Sequence, residues 1–312
     1  MNIEKYISTL SHHERIAITL ACLYDDHSYI RQAAPCFEEY SFFSDNRTFL
    51  SGDGVITFNN AQGKLMSLRP DVTLSLVKRA ALSDSQITRL SYNENVYRIR
   101  EDSGDFDEIR QSGVELLGRI DRNATLEVLT LALESLALLD GDFRLNISHL
   151  AWLDSFIRSC EFSGEALGSV VTCIKNKNMH QLCKLCNDNG MSEEGILLFT
   201  SLFALEGSLS DILPKLSNYI INDSTADAYN KLAALHELLS VSLHANKISF
   251  DFSVVSHLDY YNGLVFRGYI KSSPYVVLSG GQYDTLVQKL RQTDLGAIGF
   301  AVYLDNIGGQ SC

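Results

Sequence analysis

Residues 87–118, ITRLSYNENVYRIREDSGDFDEIRQSGVELLG, decide the architecture. The stretch 87–100 has strand composition, 101–108 is polar and turn-like, and 109–118 returns to strand character. Two antiparallel strands joined by a long loop are expected. Alternate residues share a face of a strand, which sets Gln111, Gly113 and Glu115 on one side and Ser112, Val114 and Leu116 on the other. A carboxylate and an amide on one face can receive an ammonium or imidazole nitrogen. Gly113 between them leaves room for a ligand against the backbone; solvent exposure of the same face is the alternative.

Upstream, residues 55–70, VITFNNAQGKLMSLRP, read as a hairpin turning at NNAQG, and either Asp71 or Thr73 can cap a helix through LSLVKRAAL. The Asp71 carboxylate has two competing uses, a helix cap and a ligand amino group. Arg69 is open between a structural carboxylate partner and a ligand contact. Residues 11–24 place Ile16, Leu20 and Leu23 at helical spacing, with Ala17 and Tyr24 widening the face, and residues 29–43 turn to strand character around Pro35.

Downstream, NATLEVLTLALESLALLD at 123–140 is apolar at helical period, and FRLNISHL at 143–150 reads as a strand. Short helical patterns then follow one another, punctuated by Gly and Asn, until strand text resumes at ISFDFSVV, YYNGLVFRGYI and PYVVLSG. A helix around YDTLVQKL and the Gly-rich LGAIGFAVYLDNI close the chain. The parse is α+β: a first core segment at 1–149, a helical insertion at 150–245 and a second core segment at 246–312. The sheet is expected to draw strands from both ends of the chain, a topology of long-range pairing. Tyr260 and Tyr261, followed by Asn262 and Gly263, suit either a polar pocket wall or an aromatic core.

With 312 residues, 46% hydrophobic and 21% charged, the chain can bury one large core with a smaller insertion. The net charge of -12, from 26 Lys+Arg and 38 Asp+Glu, comes with no basic run, so no nucleic-acid partner is expected. No apolar run approaches the roughly 18 residues of a membrane span, and MNIEKYISTLSHHERI lacks the marks of a secretion signal. A cytoplasmic location without membrane contact is the expectation. Seven cysteines point to reduced thiols. Cys183 and Cys186 have the gap of a zinc knuckle, but Cys160, Cys173 and His180 are loosely spaced around them, so helix packing is expected and no metal. The text contains no GxxxxGK[ST], HExxH or GxSxG.

Together, LRPDVT, VYRIREDSGDFDEIRQSGVELLG, HLDYYNGLVFRGY and LSGGQYD resemble the catalytic domain of histidyl-tRNA synthetase, over nearly the whole chain outside the insertion. The resemblance implies a class II aminoacyl-tRNA synthetase-like core, an antiparallel sheet flanked by helices. It implies a histidine pocket at Asp71, Gln111, Glu115, Tyr260 and Tyr261, and a phosphate contact at Arg98. Several of the family's cations are replaced: Asp105 and Asp107 stand in the loop where basic residues are expected, and Ser256, Gln282 and Asn306 stand in place of arginines. Forming an acyl adenylate gathers negative charge around the α-phosphate, which positioned cations must stabilise. Loss of ATP-dependent histidine activation is therefore implied. With the sequence ending at Cys312, the family's anticodon-binding domain is not expected, nor is tRNA as a partner. Arg267 departs from the family's usual acidic residue.

This pattern of retention and loss resembles the regulatory subunits of ATP phosphoribosyltransferase. That resemblance implies no catalytic residue and no cofactor in this chain, a homodimer within a hetero-octamer containing the short-form catalytic subunit, and L-histidine as effector. The competing readings are a stand-alone histidine-binding enzyme and an RNA-binding paralogue.

Overall fold

The computed structural model describes residues 3–50, 54–83, 86–100, 103–160, 162, 164–255 and 260–308. The chain forms two compact units, Met1–Phe143 with Gly268–Cys312, and Arg144–Arg267.

The first unit opens with α1 (Ile3–Thr9) and α2 (His12–Asp26). Ser11 and Glu14 make a reciprocal capping box at the start of α2, satisfying two N–H groups that the helix leaves open. The buried stripe of α2 is Ala17, Leu20 and Tyr24. After β1 (Ile30–Arg31) and β2 (Phe37–Glu39), residues expected to continue as turn and strand instead form α3 (Tyr40–Asp45), which buries Phe43. The hairpin β3 (Thr57–Asn59) and β4 (Leu65–Leu68) turns where expected: the Asn60 side-chain oxygen accepts from the Gln62 and Lys64 amides at 3.0 and 2.9 Å. With β2 it makes a small antiparallel sheet ordered β2-β4-β3.

Next come α4 (Val72–Arg79), β5 (Thr88–Ile99), β6 (Phe106–Gly118) and α5 (Arg122–Leu139). The β5–β6 pair is antiparallel from Thr88↔Leu117 to Ile99↔Phe106. Strand β6 thus starts at Phe106, inside the segment expected to be turn, and the Arg100 amide donates to the Asp105 carbonyl at 2.8 Å to close the shorter loop. Helix α5 is apolar nearly all round and buries Val128, Leu129, Leu131, Ala132, Leu133 and Leu136, as a helix inside a core must.

Strand β7 (Phe143–His149) leads into the second unit. Its helices are α6 (Leu150–Ser159), α7 (Gly164–Lys175), α8 (Met179–Asp188), α9 (Glu193–Phe203), α10 (Leu209–Leu216) and α11 (Asp223–Leu239). Asn178, Ser192, Ser208 and Asn222 cap four of them through their side chains. Among these helices sits a two-residue strand, β8 (Glu206–Gly207), which pairs antiparallel with β9 (Ile248–Asp251); β7 pairs with β9 in parallel. An aromatic core holds this unit together. Trp152 stacks on Phe156 with centroids 5.1 Å apart, Phe252 lies 5.1 Å from Trp152, and Phe199 meets Phe203 at 4.7 Å. Such pairs add about 0.5–1.5 kcal/mol each beyond simple burial.

Strand β10 (Leu264–Ile270) begins in the second unit and ends in the first. Then follow β11 (Leu278–Gln282), α12 (Asp284–Arg291) and β12 (Gly296–Tyr303). The Gly-rich segment at the chain's end is therefore a strand, and it pairs antiparallel with β6 on one side and β11 on the other. In the first unit the larger sheet runs β1-β5-β6-β12-β11, antiparallel as expected except where β1 joins β5 in parallel. Among the described residues, no helix is long and apolar enough to cross a membrane.

Candidate functional site

Glu115 lies in the middle of the larger sheet, on β6, and is 2% exposed. Its hydrogen bonds among the described residues come from two hydroxyls. Thr73 on α4 donates to one carboxyl oxygen at 2.5 Å, and Tyr283, just before α12, donates to the other. Burial pushes the Glu115 carboxyl up to about 8, aided by the nearby charge of Asp71 and opposed by the two hydroxyls. Three elements far apart in sequence hold this group, and none of them contributes a cation to it.

Asp71 is the N-cap of α4. One carboxyl oxygen accepts from the Leu74 amide at 2.8 Å, and no side chain among the described residues donates to this carboxyl. The cap therefore leaves the group able to accept a further bond, and the two uses open to it from sequence are compatible. Burial raises the Asp71 carboxyl, against the pull of the Leu74 amide, the charges of Arg98 and Arg69, and the Thr73 amide. The Thr73 side chain does not cap; its hydroxyl reaches Glu115 instead and ties the helix start to the sheet.

Gln111 is 5% exposed. Solvent exposure of this strand face is thereby overturned, because β6 is buried on both faces from Gln111 to Gly118. The space over Gly113 is taken, however. A Cβ there would collide with the Tyr92 ring and the Phe300 carbonyl, so the glycine makes room for Tyr92 and not directly for a ligand. Tyr92 pairs across from Gly113 on β5, and burial, with the charges of Glu115 and Asp71, keeps its hydroxyl protonated. On the opposite neighbour, Gly299 of β12 faces Glu115, and any side chain there would overlap the Glu115 carboxyl.

Arg98 donates to the Pro70 carbonyl at 3.2 Å and forms no ion pair among the described residues, which leaves charge available near Asp71. Arg69 is structural. It is 2% exposed and donates to the carbonyls of Ala34, Pro35 and Asn95 and to Glu94. The replaced cation positions are used internally. Asp107 pairs with Arg100, Gln282 donates to Asp284 at 2.6 Å, and Asn306 donates to the Val276 carbonyl at 2.8 Å. Asp105 closes the loop through its carbonyl. Ser256 and Asp259 lie outside the described residues.

Tyr260 and Tyr261 belong to the second unit, their rings 4.6 Å apart at 58°. Tyr260 is buried, and Tyr261 lines an open cavity of about 550 Å³ with residues of α6 and the start of α11, among them Ser155, Arg158 and Asn222. Arg267, the other departure, donates to the Val255 carbonyl at 2.9 Å. Cys173 and Cys186 are buried packing groups, and burial pushes the Cys186 thiol up to about 11, whereas Cys22 is exposed. Among the described residues no group of three or more His, Cys, Asp or Glu is arranged to hold a metal.

In the first unit Glu115 and Gln111 are thus buried, and Asp71, whose charge acts on Glu115, is half-buried; two carboxyls and an amide are groups that can receive a positively charged nitrogen. The sequence singles out these three residues but not Thr73 and Tyr283 as the partners of Glu115; Tyr283 sits in the quoted GGQYD, but only the folded chain shows where it points.

Named relatives include ATP phosphoribosyltransferase regulatory subunits from Alkaliphilus metalliredigens, 27% identical over 89% of this chain and 72% of that one, and from Clostridium kluyveri, 29% identical over 91% and 74%. A crystal structure described as an ATP phosphoribosyltransferase regulatory subunit/histidyl-tRNA synthetase from Bacillus halodurans C matches with TM-score 0.83 at 24% identity, covering 96% of this chain and 79% of that one. A chain of the ATP phosphoribosyl transferase (HisG:HisZ) complex from Thermotoga maritima matches with TM-score 0.73 at 18% identity, covering 95% and 98%. The fold is therefore the class II synthetase-like α+β fold. The model of the histidyl-tRNA synthetase family matches residues 7–307, and the chain belongs to that family.

Proposed function

We propose that this chain is the regulatory subunit of ATP phosphoribosyltransferase, a partner of the catalytic subunit and not itself an enzyme. The observation that carries the reading is the run of relatives bearing that name, at 23–29% identity over 88–94% of this chain. The side chains at the replaced cation positions support it: Gln282 and Asn306 are neutral and turned to internal partners, and Asp107 is occupied by Arg100. A site so furnished is poorly suited to stabilise an adenylate transition state.

In this reading the partner is the short-form catalytic subunit, which joins ATP and phosphoribosyl pyrophosphate in the first step of histidine biosynthesis. A homodimer of this chain takes part in a cytoplasmic hetero-octamer. L-histidine binds at Asp71, Gln111 and Glu115, with Tyr260 and Tyr261 shaping its pocket and Arg98 as a residual phosphate contact. Occupancy reaches the catalytic subunit only if the ligand binds two assembly states with different affinity.

The test is phosphoribosyl-ATP formation by the short catalytic subunit, alone and with this chain, during a histidine titration. Activation that histidine reverses supports both roles, while neither activation nor a physical complex discards the reading. E115A should still form the complex on size-exclusion chromatography. Its histidine inhibition should weaken by roughly tenfold or more, the scale of one lost charge-assisted hydrogen bond of about 1.5–3 kcal/mol. Unchanged sensitivity would remove Glu115 from the pocket.

A further inference from the structure

Glu115 poses a charge problem that the family assignment does not address. Its carboxyl is 2% exposed, and both oxygens face hydroxyls, which can donate to a carboxylate or accept from a carboxylic acid. The groups around it are unfavourable to a second negative charge. From α4 come Asp71 and Thr73, from β5 the Tyr92 phenol, from the approach to α12 the Tyr283 phenol, and from β12 only the backbone at Gly299. Tyr29, ahead of β1, also senses the Glu115 charge. Among the described residues, Arg98 and Arg69 act on Asp71, and Arg69 is engaged with Glu94 and three backbone carbonyls. An anion buried without a cation is costly, and the group stays neutral instead.

We propose that Glu115 holds a proton and gives it up when a cationic amino acid binds, so that effector binding is a proton-for-cation exchange. This rests on the pocket assignment made above and deepens it. The ligand's positive group replaces the proton as the counter-charge, and the Thr73 and Tyr283 hydroxyls then both donate to the carboxylate. The O–H bond of the carboxyl breaks, its electron pair stays on Glu115, and the proton leaves to solvent or to a basic nitrogen of the ligand. Burial accounts for the direction, since it pushes this carboxyl up to about 8.

The experiment is infrared difference spectroscopy on the full chain at pH 7, with and without L-histidine, with calorimetry on the same samples to establish saturation. The carbonyl stretch of a protonated carboxyl should be present in the empty chain, vanish at saturation, and be absent from E115Q at all histidine concentrations. E115Q, which cannot become an anion, should bind histidine at least roughly tenfold more weakly, and its circular dichroism serves as the check that it folds. Histidine saturation with the band unchanged overturns the exchange alone. No such band in the empty chain overturns proton storage. A chain that keeps the band but takes up no histidine overturns the pocket assignment, and the exchange falls with it.

Discussion

At Gly299 a single hydrogen separates the β12 backbone from the Glu115 carboxyl, and a methyl group would enter the space those oxygens occupy. G299A therefore tests how tightly the carboxyl is fixed. Overpacking of this kind costs about 1–3 kcal/mol, so the variant should melt several degrees lower in calorimetry and lose histidine binding more than its stability loss explains. Retention of full binding would mean that Glu115 can be moved without consequence. Part of this site is legible in the sequence. Gln111 and Glu115 announce themselves through strand alternation, and Asp71 through its place after a proline and before a helix. Thr73 and Tyr283 do not, because their roles depend on contacts across 42 and 168 residues of chain. The room expected over Gly113 is absent for the same reason: its neighbour Tyr92 is fixed by the β5–β6 register and not by local sequence.

At helix α4 the cap residue Asp71 satisfies the Leu74 amide, and the proposed function gives the same carboxyl a second use in binding the ligand. Two substitutions separate the uses. D71N preserves a good cap and removes the charge, whereas D71A removes both, so D71A should lose about 1 kcal/mol of stability that D71N keeps. Both should weaken histidine binding, as measured by calorimetry. Helix α6 is capped more unusually, by His149, whose ring nitrogen accepts from the Trp152 amide at 3.4 Å. Burial pushes this imidazole down to about 4, with the Lys231 charge acting in the same direction. The folded state therefore keeps His149 neutral while the unfolded chain takes up a proton, and the associated stability is present above pH ~6.5 and lost as pH falls towards 4. H149N retains a capping side chain without that proton, so its thermal midpoint should decline less than that of the parent between pH 7 and about 4.5; equal declines would discount His149 as the acid-sensitive group. Long elements with clear periodicity, such as α2 and the β5–β6 hairpin, are readable from sequence. The short helix α3 and the two residues of β8 are not, because elements that short are set by what they pack against.

For the molecule as a whole, family membership constrains the fold more firmly than the chemistry. The frame of the larger sheet persists, while Gln282, Asn306 and Asp107 turn the cation positions to internal bonding. The sequence predicts a sheet assembled from both ends of the chain, and β12 does close against β6, pairing Gly296 with Gly118 and Tyr303 with Gln111. That pairing has a consequence during synthesis. Until β12 emerges from the ribosome, β6 presents a long, apolar, unpaired edge, and the backbone beside Glu115 lies open. A nascent chain halted before Gly296 would carry that edge into a crowded cell, where it is a template for aggregation and a target for chaperones. Strand β12 is thus the one that covers this edge of β6.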